Sequence, residues 1–258
     1  MTDNDATLAR KVIALLDLTS LNDDDDDARI VALCHRAMTP VGPVAAVCVY
    51  PRFVALARRT LDELGGQQVA VATVTNFPCG TARFDDVLAQ TRQALADGAD
   101  EIDLVYPYQS LLAGDATIGI ELVKACKALC AGRALLKVIL ETGELADRLL
   151  IRRASQDAIA AGADFIKTST GKVKVNATAE AAEIMLNCIA DSGAEVGLKP
   201  AGGMRTLSEA LVYLWLAERI NGCNWVSPRH LRFGASSLLD DLLRRVGVES
   251  TSVPVGGY

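Results

Sequence analysis

The stretch Asp164-Phe-Ile-Lys-Thr-Ser-Thr170 sets a lysine in a short run of β-branched and aromatic residues between Gly162 and Gly171, the pattern of a buried strand. An ammonium group in such a place has to be paired or kept neutral. Asp103, Lys137 and Lys199 sit in three other apolar runs of the same kind, so three lysines and one aspartate meet if these runs line one cavity. A single buried lysine is as readily half of a structural ion pair; it is the convergence that points to chemistry. A free lysine, with a pKa of about 10.4, is neutral in roughly one molecule in 2,500 at pH 7, and burial or a neighbouring cation raises that fraction. An amine tuned in this way attacks an aldehyde. The iminium ion that results is an electron sink, which lets an adjacent carbon–carbon bond break or form, and a carboxylate and a second lysine can move the protons.

Such a cluster needs strands to hold it. Apolar runs at residues 13–17, 44–50, 69–75, 101–107, 134–142, 164–170, 196–203 and 231–236 are each followed by a segment of helical periodicity. Several of these helical segments end at a glycine suited to a left-handed cap, at positions 98, 132, 162, 193, 222 and 247. Eight βα units in 258 residues predict an α/β fold, a single-domain (β/α)8 barrel over residues 1–248 with a mobile tail at 249–258. An internal echo supports the reading. Gly98-Ala-Asp-Glu-Ile-Asp103 and Gly162-Ala-Asp-Phe-Ile-Lys167 share one helix stop, turn and strand start, and Gly193-Ala-Glu-Val-Gly-Leu-Lys199 repeats it with one extra residue. Side chains alternate along a strand, so Asp103 and Lys167 should face the same way. The acidic run Asp23–Asp27 precedes a helix expected over residues 28–38 and reads as solvated surface that caps it.

The loops after the last three strands carry Gly171-Lys172, Gly202-Gly203 and Ser236-Ser237. In a barrel of this type, the loops after strands seven and eight and a helix N-terminus form the usual phosphate site. All six residues are therefore candidate phosphate ligands, with Lys172 and Arg205 able to supply charge or to be plain surface.

Bulk properties narrow the remaining classes. A net charge of −6 gives no reason to expect nucleic acid or an anionic membrane as partner, and no apolar run reaches the roughly 20 residues that span a bilayer. The N-terminus lacks the basic start of a signal peptide, so a cytoplasmic location is expected. Seven cysteines without a C-x-x-C pair, and only two histidines, read as reduced thiols with no metal and no other cofactor. His35 and His230 fit no catalytic constellation. The exposed faces of the outer helices are compatible with a homodimer.

Six motifs together carry a resemblance: Asp17-Leu-Thr-Ser-Leu-Asn22, Asp103-Leu-Val105, Leu136-Lys-Val-Ile-Leu-Glu-Thr-Gly143, Phe165-Ile-Lys-Thr-Ser-Thr-Gly-Lys172, Leu198-Lys-Pro-Ala-Gly-Gly203 and Phe233-Gly-Ala-Ser-Ser237. Over nearly its full length the chain resembles the deoxyribose-phosphate aldolases, lyases that act through a lysine Schiff base. The resemblance implies reversible cleavage of 2-deoxy-D-ribose 5-phosphate to acetaldehyde and D-glyceraldehyde 3-phosphate, in deoxyribonucleoside breakdown. It implies Lys167 as nucleophile, Lys199 as the group that lowers its pKa and assists proton transfer, and Asp103 as proton donor and acceptor with Lys199. It also places Asp17, Thr170, Cys48, Lys137 and Tyr258 around the substrate. Asp17 would hold a substrate hydroxyl or cap a helix; Cys48 would face the site or be an ordinary core thiol; Tyr258 would fold over the site or stay with a loose tail. Two rivals stand beside this reading. One is another Schiff-base barrel, such as a transaldolase or keto-acid aldolase, and the other is a noncatalytic barrel that holds a sugar phosphate with its lysines.

Overall fold

The computed structural model describes residues 3–248. Eight parallel strands form the barrel: β1 (Leu16–Thr19), β2 (Ala46–Val49), β3 (Ala70–Thr75), β4 (Glu101–Val105), β5 (Leu135–Ile139), β6 (Phe165–Lys167), β7 (Gly197–Lys199) and β8 (Phe233–Ala235). Each strand from β1 to β6 pairs with the next in sequence, and β8 pairs with β1. The last seam, between β7 and β8, is closed by bridges Leu198–Leu231 and Ala201–Gly234 and by the Arg232 N–H donating to the Leu198 carbonyl at 3.0 Å. The expected single-domain (β/α)8 barrel is thus the fold.

Helices α1 (Asp3–Ile13), α2 (Asp27–Ala37), α3 (Val54–Glu63), α4 (Phe84–Ala96), α5 (Tyr108–Leu112), α6 (Thr117–Cys130), α7 (Thr142–Leu145), α8 (Arg148–Ala160), α9 (Ala179–Ser192), α10 (Leu207–Asn221) and α11 (Leu238–Arg245) cover the strands. Their apolar faces meet the outward side chains of the strands in one continuous core, including Leu18, Val47, Val71, Ile102, Leu104, Leu136, Val138, Ile166 and Leu198. Caps fix where the helices start. Asp26 accepts from the Arg29 N–H at 2.8 Å at the head of α2, and Thr206 with Glu209 forms a reciprocal box at the head of α10, features worth about 1 kcal/mol each. The acidic run is divided in its labour. Asp26 caps and Asp24 pairs with Arg29, whereas Asp25, expected on the surface, is buried and accepts from the Ser20 hydroxyl at 2.8 Å.

Inside the barrel a second set of side chains alternates with the first. Parallel register aligns Asp103 with Lys137 and Phe165, and Ile139 with Lys167 and Lys199. The echo between Asp103 and Lys167 therefore holds for orientation. It does not hold for height, because the stagger of a closed barrel lifts Lys167 one layer above Asp103. Phe165 fills the layer below Lys167, and its ring occupies the space left by Gly197, where a Cβ would lie 2.3 Å from a ring carbon. Seven of the eight strands are shorter than the apolar runs that contain them; β1 lies at Leu16–Thr19, displaced from the expected 13–17 because Ile13 ends α1. The run 164–170 pairs only over Phe165–Lys167, because Thr168, Ser169 and Thr170 turn inward as buried loop rather than extending the ladder. The expected tail at 249–258 lies outside the described residues.

Candidate active site

Lys167 and Lys199 are the last residues of β6 and β7, at the C-terminal face where barrels of this kind carry their sites. Both are buried, and both amines lie against one carboxylate oxygen: Lys167 Nζ is 2.8 Å and Lys199 Nζ 2.7 Å from Asp103 Oδ2. Lys199 also reaches Asp17 Oδ2 at 2.6 Å. Lys137 Nζ lies 2.8 Å from Asp17 Oδ2, 3.4 Å from Asp103 Oδ1, and against Glu101 Oε2. Arg232 forks across the floor, 2.7 Å from Asp17 Oδ1 and 2.8 Å from Glu101 Oε1. Asp103 Oδ1 accepts no hydrogen bond from a described residue.

These contacts rank the amines. Lys199 is held well above the ordinary lysine range: burial disfavours its charge, but Asp103 and Asp17 outweigh burial. Lys137 is raised in the same way by Asp103, Asp17 and Glu101. Lys167 alone is lowered. Burial is the main cause, Asp103 opposes it, and the Lys199 cation adds to it. Burial and a neighbouring cation were the two causes expected from the sequence, and both act here, burial first. Asp103 and Asp17, which burial would raise, are both held below the usual carboxylate range by the surrounding cations. The site is thus a neutralisable amine beside a fixed ammonium and a fixed carboxylate.

Asp17 and Lys137, expected around the substrate, are both paired within the cluster: Asp17 has both oxygens engaged by cations, and Lys137 stands at the register of Phe165, one layer below Lys167. Asp17 does not cap a helix. Thr170 is buried in the loop after β6, where its hydroxyl donates to Glu141 Oε2 at 2.5 Å and accepts from the Lys172 N–H at 3.0 Å. Glu141, in the left-handed region at φ 56°, is itself buried, which pushes its carboxyl up despite the Thr170 bonds. Cys48 is buried beside Leu21, Ala72 and Val74, in a small apolar patch separate from the main core and within range of the lysine charges. Burial pushes its thiol up, so it is a poor nucleophile. Tyr258 lies outside the described residues.

The phosphate candidates gather above β6, β7 and β8. Gly171, Gly202 and Gly203 all take positive φ, at 84°, 81° and 84°, and a Cβ at Gly202 would meet the Asn176 side chain at 2.8 Å. The Gly202 N–H donates to the Gly234 carbonyl at 3.1 Å, so it is engaged in barrel closure, not free for an anion as expected. Ser236 is buried and Ser237 half-buried at the head of α11, whose side chain makes no cap hydrogen bond. The partly exposed Lys172 amine lies 3.8 Å from Asp23. Arg205 stays on the surface.

Sequence reasoning missed Glu101, Arg232 and Glu141. Glu101 was within reach, because it precedes Asp103 by two residues and so shares its face. Glu141, four residues after Lys137 in the run 134–142, and Arg232, a charge inside the run 231–236, were in reach by the same alternation. Among the described residues no group of three His, Cys, Asp or Glu converges as a metal site, and no helix is long and apolar enough to cross a membrane.

A family model for DeoC/LacD aldolases matches residues 11–243. The chain belongs to that family. Among solved structures, a Toxoplasma gondii ME49 protein provisionally named a deoxyribose-phosphate aldolase is 26% identical, with a TM-score of 0.88 over 97% of this chain and 100% of its own. A Coccidioides immitis protein with the same provisional name is 28% identical at a TM-score of 0.78, covering 90% of this chain and 86% of its own. The deoxyribose phosphate aldolase of Aeropyrum pernix, 22% identical at a TM-score of 0.71 over 94% and 97% of the two chains, shares the fold. Membership makes the chain an aldolase of the lyase class.

Proposed function

We propose that this aldolase reversibly cleaves 2-deoxy-D-ribose 5-phosphate to acetaldehyde and D-glyceraldehyde 3-phosphate through a Schiff base on Lys167. The observation that carries the reading is the asymmetry among the three buried amines: Lys167 meets Asp103 alone, on an oxygen shared with Lys199, whereas Lys199 meets two carboxylates and Lys137 three. The neutral Lys167 amine attacks C1 of the open-chain sugar, and loss of water gives the iminium. Removal of the C3 hydroxyl proton sends the C2–C3 electrons into that iminium. D-Glyceraldehyde 3-phosphate leaves and an enamine of acetaldehyde remains. Asp103, which both amines contact, is the carboxylate in reach of a substrate proton, and the Lys199 ammonium is the matching donor. Protonation of the enamine carbon and hydrolysis release acetaldehyde. The apolar patch of Leu21, Cys48, Ala72 and Val74 suits the deoxy carbon, and the loops at Gly171-Lys172, Gly203 and Ser236-Ser237 suit the phosphate.

Tyr258 stays a proposed aid to proton transfer. A cytoplasmic, cofactor-free enzyme of deoxyribonucleoside breakdown, acting on small aldehydes and sugar phosphates alone or as a homodimer, completes the proposal. Borohydride reduction in the presence of 2-deoxy-D-ribose 5-phosphate, followed by peptide mass mapping, should give one stable adduct, on Lys167, with acetaldehyde released in unreduced reactions. Turnover with Lys167 unmodified would falsify the mechanism. An adduct without acetaldehyde release, alongside cleavage of a longer sugar phosphate, would keep the chemistry and overturn the substrate.

A further inference from the structure

The barrel floor holds an ion pair that the chemistry above does not use. Glu101, at the start of β4, and Arg232, just before β8, are 2% and 6% exposed and meet at 2.8 Å below the layer of Asp103 and Lys137. Phe165 shields the pair from one side, with its ring centroid 5.7 Å from the Arg232 guanidinium and 5.9 Å from Lys137 Nζ. Neither residue touches the reactive amine.

Their effect is visible in how the carboxylates are shared. Lys137 is met by Glu101, Asp17 and Asp103, Lys199 by Asp17 and Asp103, and Arg232 by Asp17 and Glu101. Lys167 is met by Asp103 alone, on an oxygen it shares with Lys199. Three carboxylates serve four cationic side chains in this cluster, so the set is balanced when one amine gives up its proton. The amine with fewest partners is the one that can. Of the other groups around Lys167, Cys48 on β2 is a buried thiol, and Glu141 after β5 is held by Thr170, feels the Lys167 charge through space, and forms no direct ion pair with the cluster among the described residues.

We propose that Glu101 and Arg232 are positioning residues, which hold Lys137 and Asp17 from below so that Asp103 is left to be divided between Lys199 and Lys167. The proposal rests on the reading of Lys167 as the Schiff-base amine. It assigns the two residues opposite signs. Without the Glu101 charge, Lys137 turns more fully to Asp103 and draws it from Lys167, and the cluster becomes more positive, so the Lys167 ammonium is harder to keep. Without the Arg232 charge, Asp17 and Glu101 hold Lys137 more firmly, Asp103 is released to Lys167, and the ammonium becomes easier to keep.

The test is reductive labelling of Lys167 by acetaldehyde and cyanoborohydride, followed by mass mapping across a pH series, with folding of each variant checked by circular dichroism. The midpoint of labelling should fall by about one pH unit in Glu101→Gln and rise by about one unit in Arg232→Met. The double variant Glu101→Gln/Arg232→Met removes one charge of each sign, folds without an unpaired buried ion, and should return to the wild-type midpoint. A merely structural pair would lower yield or melting temperature and leave the midpoints in place. Unmoved midpoints, shifts of the same sign, or a displaced double variant overturn the inference while the Lys167 adduct stands. No adduct on Lys167 in the wild-type chain overturns the Schiff-base reading and this inference together.

Discussion

At the scale of single residues, the site is a competition for one carboxylate oxygen. Asp103 Oδ2 lies 2.8 Å from Lys167 and 2.7 Å from Lys199, and only Lys199 has a second carboxylate, Asp17, to secure its charge. This makes a definite forecast for Lys199→Leu. Removing that cation takes away a charge that disfavours the Lys167 ammonium and leaves Asp103 Oδ2 to Lys167 alone, so both changes raise the Lys167 pKa. The midpoint of Schiff-base formation should move to higher pH, and kcat should fall by roughly 100- to 10,000-fold with the loss of the proton donor. A pH profile combined with single-turnover trapping checks both. Unchanged kcat would remove Lys199 from the chemistry. The residues behind this competition were unevenly legible. Lys167, Lys199, Lys137 and Asp103 are visible as charges in apolar strands, and the period of two along β4 reaches Glu101 from Asp103. Their partners are not visible, because who pairs with whom depends on barrel stagger. That is why Asp17 and Lys137, expected beside the substrate, are found paired within the buried cluster.

At the scale of elements, strand β7 shows how backbone choices serve the charges. Gly197 faces into the barrel at the register of Phe165, and the missing side chain is what admits the ring. The ring in turn is the apolar partition over which Lys137 and Arg232 lie. Gly197→Ala would set a Cβ 2.3 Å from a carbon of the buried Phe165 ring, so the ring has to shift against Lys137 and Arg232, which lie over it. A cost of about 1–3 kcal/mol is expected, as for other overpacked cores. Thermal unfolding should report it, and the labelling midpoint of Lys167 should shift as the floor is disturbed. A neutral substitution would show that the floor is soft. Strand existence was legible and strand extent was not. Six of the eight apolar runs continue past their ladders, as at Thr168–Thr170, which are buried and whose side chains bond sideways to Glu141 and to the backbone after β7. Composition cannot separate a buried strand end from a buried loop.

At the scale of the whole molecule, the closed barrel makes the polar cluster a condition of stability as well as of chemistry. Asp17 and Asp103 have their acidity increased on folding by the enclosed cations, with folded-state pKa values below the roughly 3.9 of an unfolded aspartate. For a group lowered in this way, the stabilisation is fully present above the unfolded pKa and is lost as pH falls through the folded one. Stability should therefore stay nearly flat from neutrality to about pH 5 as far as these two carboxylates are concerned, then fall steeply below about pH 4 as the unfolded chain takes up protons that the barrel refuses. Replacing Asp103 by Asn isolates the effect. It removes one titrating group but leaves Lys167 with no carboxylate contact and Lys199 with Asp17 alone, so the variant should lose about 3–5 kcal/mol at neutral pH, the cost of breaking a buried ion pair from one side. Because less of its stability depends on that ionised carboxylate, its melting temperature should decline less between neutral and acid pH than that of the wild type. Thermal unfolding followed by circular dichroism over that range measures both. Parallel declines in the two proteins would mean that the enclosed carboxylates do not govern the acid limb, and that the surface ion pairs do.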